Sequence, residues 1–100
     1  MTAVVRPTNS LQVLHLLEQC FRRHFQTLRV HDDQILVHVP AVGRVLVTEQ
    51  LARMRLDFLT DEDEAETAVA ALEAEVRSQV RHQELSIRWE RSDIIPAALR

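Results

Sequence analysis

The apolar residues of this chain change their spacing three times, and that change limits the folds open to it. Leu14, Leu17, Phe21, Phe25 and Leu28 recur at intervals of three and four, the stripe of an amphipathic helix. The period then drops to two in Leu28-Arg29-Val30-His31, Ile35-Leu36-Val37-His38-Val39 and Arg44-Val45-Leu46-Val47-Thr48, as strands require. Ala65, Val69, Leu72, Val76 and Val80 return to helix spacing, and Leu85-Ser86-Ile87-Arg88-Trp89-Glu90 alternates again. A helix stripe and a strand face each need an apolar partner, so this pattern predicts helices laid on a sheet.

Local signals set the expected boundaries. Pro7, with Asn9 three residues before Gln12, predicts a first helix over residues 9–27 with a capping-box start. Asp32-Asp33 reads as a turn, and Pro40-Ala41-Val42-Gly43 as a hairpin loop with Gly43 at the left-handed position. Residues 49–59 carry both signals. Glu49-Gln50-Leu51-Ala52 has the composition of a helix start, but Met54-Arg55-Leu56-Asp57-Phe58 alternates and favours a strand over about 53–59. Thr60 ahead of Asp61-Glu62-Asp63-Glu64 predicts an N-cap, and a second helix to about His82.

The expected fold is α+β: two layers, an antiparallel sheet of three to five strands packed by two helices. Its element order is helix, three-strand meander, helix, strand. If Ala3-Val4-Val5 adds an edge strand, the pattern approaches a ferredoxin-like βαββαβ sandwich with an extra hairpin. In element order alone the chain also looks like the small acidic chaperones of type III secretion. Residues 1–90 form one expected domain, and residues 91–100, with Ile94-Ile95-Pro96, an apolar tail.

Composition narrows the chemistry. One glycine in 100 residues excludes glycine-rich phosphate loops, dinucleotide fingerprints and nucleophile elbows. One cysteine excludes an intrachain disulfide or a cysteine-based zinc cluster, and makes a reducing cytoplasm the expected location. The 12 basic residues are all arginine and the net charge is −3, so no whole-molecule field draws the chain to nucleic acid or membrane. No basic stretch leads into a long apolar run at the start, and no apolar run reaches the length of a membrane span.

Of five histidines, His15 and His24 do not share a helix face, while His31 and His38, with Asp32 or Asp33, make at most a weak surface site. Scattered surface histidines are the better account of these, so neither metal nor cofactor is expected. The acidic run before the second helix lacks the glycine and final glutamate of a calcium loop, and helix capping explains it. Cys20 falls on an apolar helix stripe, and no serine has a base at a telling spacing, so catalysis is not expected.

Two binding features remain. Val13, Leu16 and Cys20 make a second apolar stripe on the first helix, and β-strand residues such as Leu36 and Leu46 put apolar groups on the second sheet face. That surplus points to burial against another chain, most simply a homodimer through Val13, Leu16 and Cys20, with Ile94 and Ile95 docking on a partner. The competing account is that the tail folds back through Ile94, Ile95 and Leu99. Arg29, Arg55 and Arg88 alternate with apolar residues and fall in register for one outer sheet face. The expected function is therefore a non-enzymatic protein-binding module, an adaptor, chaperone-like or assembly factor. A nucleic-acid-binding regulator using Arg29, Arg55 and Arg88 is the alternative, weakened because Phe58 and Trp89 fall on the inward register.

Overall fold

The computed structural model describes residues 1–8, 12–81, 84–91 and 95–100. The described elements are β1 (Thr2–Pro7), α1 (Gln12–His24), β2 (Thr27–His31), β3 (Gln34–Val39), β4 (Gly43–Gln50), β5 (Arg53–Phe58), α2 (Ala65–Gln79) and β6 (Leu85–Glu90). Short 3-10 turns cover Glu62–Glu64 and Ala97–Leu99. The strands form one antiparallel six-stranded sheet in the order β2-β3-β4-β5-β1-β6. The fold is thus α+β with two helices, as the periodicity requires, but the sheet is wider than three to five strands.

Two differences account for the width. The meander has four strands, β2 to β5, because Thr27–His31 is itself a strand paired with β3, with a register shift between Arg29 and His31. Ala3-Val4-Val5 does form a strand, yet not at an edge: β1 sits between β5 and β6. Ala3 and Val5 are fully buried on the face of β1 that the helices cover.

Alternation decides which face each strand buries. Val5, Val37, Val45, Val47, Met54, Leu56 and Phe58 point to the helices, where they meet Val13, Leu14, Leu17 and Phe21 of α1 and Ala68, Leu72 and Val76 of α2. Leu17 and Leu72 are fully buried, each worth about 1.5–3 kcal/mol of burial. Leu72→Ala would cost about 2–5 kcal/mol, the usual range for an emptied core leucine. Trp89 of β6 meets Phe58 edge-on, at a centroid separation of 6.0 Å and an interplanar angle of 84°. This contact closes the core at the β6 edge.

The turns depart from expectation in instructive ways. Val42 N–H donates to Val39 O at 3.1 Å around Pro40-Ala41, the bond that closes a β-turn. Ala41 takes the left-handed position at φ 68°, and Gly43 follows at φ 96°. Residues 51–52 form the β4–β5 turn, with Ala52 at φ 61°, so 49–52 is not a helix start. Thr60 does not cap α2: its hydroxyl donates to the Asp61 carbonyl at 3.2 Å. The acidic run instead forms a 3-10 turn ahead of Ala65. The start of the first helix at Asn9 lies outside the described residues, as does the position of His82.

Candidate interaction surface on the outer sheet face

Strand register lays out the face turned away from the helices. Cross-strand pairing links Leu28, Leu36, Leu46, Asp57, Thr2 and Glu90 into one row spanning all six strands. A second row runs Gln34, Thr48, Arg55, Val4, Arg88. His38 and Arg44 pair beyond the first row, Gln50 and Arg53 beyond the second. The face is therefore divided. Its β2–β3 side carries leucines; its β5–β1–β6 side carries Arg6, Arg53, Arg55 and Arg88.

The polar side is internally bonded. The Thr2 hydroxyl donates to Asp57 Oδ1 at 2.5 Å, and Arg55 Nε approaches Asp57 Oδ2 at 3.0 Å. Arg88 Nε lies 3.4 Å from Glu90, and Arg53 Nε donates to Gln50 at 2.7 Å. Asp57 is only 4% exposed, so its two donors replace the water it has lost.

The apolar side is open at its edge. Leu46 is buried, because the turn Ala97–Leu99 packs against β4 and brings the buried Leu99 over this face. Pro96, Ile95 and Leu99 line a narrow crevice with Thr2, Asp57 and Phe58. Leu36 stays half-buried, and Leu28 is 65% exposed on the edge strand. Gln26, Thr27, His38 and Arg44 surround the two leucines in a shallow depression.

The residues named from sequence separate. Arg29 pairs with Ile35 and so lies on the helix face, not with Arg55 and Arg88. Its guanidinium donates to the carbonyls of His31 and Asp32 and lies 4.0 Å from Glu18 of α1. A register shift between Arg29 and His31 lets the strand change which side chains face outward. Val13 is consumed by the core; Cys20 is half-buried, with Sγ 3.8 Å from the Gln79 carbonyl; Leu16 is exposed. These three do not share one open surface. Ile95 is exposed, and Ile94 lies outside the described residues.

Sequence reasoning missed Leu28 as an outward group, because its spacing also continued the stripe of the first helix. It also missed a cluster on the helix side, where His15 and Glu18 of α1 meet Glu49 of β4. The Glu18 and Glu49 carboxyls face each other within 4.8 Å and shift each other's titration. Burial alone would raise the Glu18 carboxyl, but the bonds from Glu49 and Arg22 and the Arg22 charge outweigh it and hold Glu18 below its ordinary range. Glu49 moves the other way, raised first by its bond to Glu18 and then by burial. Spacing gave no signal for this pair, since Glu49 fell in the stretch with two readings.

The chain matches no family model, no curated protein and no solved structure. Among the described residues, no helix is long and apolar enough to cross a membrane.

Proposed function

We propose that this chain is a non-enzymatic protein-binding module whose outer sheet face and β2 edge receive an extended segment of a partner protein. One observation carries the reading: Leu28, 65% exposed, stands on the terminal strand of the sheet beside half-buried Leu36. A terminal strand offers main-chain donors and acceptors to an added strand, and alternate side chains of that strand then fall on one face. The same face carries Arg44 near the leucines and further arginines across β5, β1 and β6. The complementary segment alternates apolar with acidic side chains.

Selection from a randomised peptide library displayed on phage tests this reading. Enriched peptides should alternate apolar and acidic positions, and Leu28→Glu should abolish their capture. No enrichment, or capture indifferent to Leu28→Glu, would sink the proposal. A wild-type dimer in light scattering that Leu28→Glu dissociates would assign the edge to a second copy instead.

The arginines Arg6, Arg53, Arg55 and Arg88 support a second reading, a nucleic-acid-binding face. Two facts weigh against it. Arg55 and Arg88 are each engaged by a carboxylate, and the aromatic pair Phe58 and Trp89 faces the helices. Phosphate binding would weaken steeply as salt rises, and a labelled single-stranded RNA at low salt is the probe.

A further inference from the structure

We propose that His15, Glu18 and Glu49 form a site for one divalent transition-metal ion of the zinc class. The donor atoms of the three side chains lie within 4.8 Å of one another. Zinc sites draw three protein donors to about 2.0–2.2 Å, leaving further positions for water. Closing the cluster to that size requires shifts of about 1 Å in side chains that reach solvent, well within rotamer adjustment.

The donors converge because the fold brings two elements together. His15 and Glu18 stand three apart on α1 and so share a face of the helix. Glu49 comes from β4, where its N–H donates to the Asp33 carbonyl at 2.8 Å and fastens the strand end to the β2–β3 turn. The Gln19 side-chain amide nitrogen lies 3.2 Å from His15 Nε2, so ligation through that ring nitrogen requires Gln19 to turn away. One imidazole and two carboxylates are donors that suit zinc, cobalt or nickel better than the all-oxygen shells of calcium.

There is room for the remaining ligands. A depression beside the cluster is lined by His15, Glu49, Asp33 and Gln50, so solvent reaches the open side. Arg22 opposes the ion: Nη2 lies 2.7 Å from Glu18 Oε1. Its side chain is 43% exposed, so it can swing into water when an ion takes its place. Removing Arg22 frees Glu18, so an affinity that stayed unchanged on its removal would show that Glu18 is not a ligand.

Titration calorimetry of the whole chain with Zn²⁺ tests the site, with Co²⁺ absorbance reporting coordination geometry. The wild type should bind one ion. His15→Ala and Glu49→Gln, both changes at exposed positions, should each weaken binding by at least about tenfold, the scale on which metal sites respond to lost partners. Arg22→Ala should tighten it, and the double change His31→Ala with His38→Ala should leave it unaltered. Circular dichroism on every variant confirms folding. Absence of Zn²⁺ binding overturns the proposal. So does binding that survives His15→Ala and Glu49→Gln, or binding lost with His31 and His38.

Discussion

The hydroxyl of Thr2 donates to the carboxylate of Asp57 at 2.5 Å, joining the first strand to the last strand of the meander beneath the C-terminal turn. Arg55 holds the other oxygen of the same carboxylate. A buried acceptor with two donors is stable as a unit and costly when broken, because each deserted partner keeps its desolvation penalty. Asp57→Ala should therefore lower stability by about 1–3 kcal/mol. Urea denaturation checks it; an unmoved midpoint would show that the network adds nothing.

Leu46 and Leu99 are buried but stand apart from the main core, so the turn Ala97–Leu99 and β4 should be energetically coupled. A double-mutant cycle of Leu46→Ala and Leu99→Ala should give an interaction energy of about 0.5 kcal/mol or more. Strict additivity would mean that the two side chains do not share a contact.

Leu28 separates binding from folding. Its side chain is largely solvated, so Leu28→Glu should change stability by no more than about 0.5 kcal/mol. Loss of peptide capture with an unchanged thermal midpoint is the expected result. A large fall in the midpoint would place Leu28 in the folded core instead.

Ala41 and Ala52 hold left-handed backbone, at φ 68° and 61°, which costs a residue with a Cβ about 1–2 kcal/mol. Glycine removes that strain but loses about 0.5–1 kcal/mol more chain entropy on folding. Ala41→Gly and Ala52→Gly should each raise stability by up to about 1 kcal/mol, measured as a higher thermal midpoint. Gly43→Ala should do the reverse at φ 96°, although the added methyl meets no neighbouring atom.

These cases show why the sequence carried some features of the structure and hid others. Period and polarity are local, so both helices and the strand at Arg53–Phe58 were readable. Strand order is not local: nothing in Ala3-Val4-Val5 says that both neighbours arrive much later in the chain. Arg29 misled because Leu28, its apolar neighbour, faces outward on the edge strand, and plain alternation then turns Arg29 to the helix side. Thr60 misled because a hydroxyl that suits an N-cap equally suits a neighbouring carbonyl. The leucine patch and the His15, Glu18 and Glu49 cluster needed distances between elements, which spacing along one element does not contain.

The position of β1 sets an order of events for the growing chain. Strands β2 to β5 are joined by short turns and have each other as neighbours as soon as they are made. Thr2, by contrast, finds its partner only 55 residues later, and β6 follows later still. Contacts of such long sequence separation are slow to close. Until β5 and β6 are available, Ala3 and Val5 travel as an unattached apolar strand. The middle of the sheet is thus closed by strands far apart in sequence, while its β2–β5 side is built from neighbours along the chain.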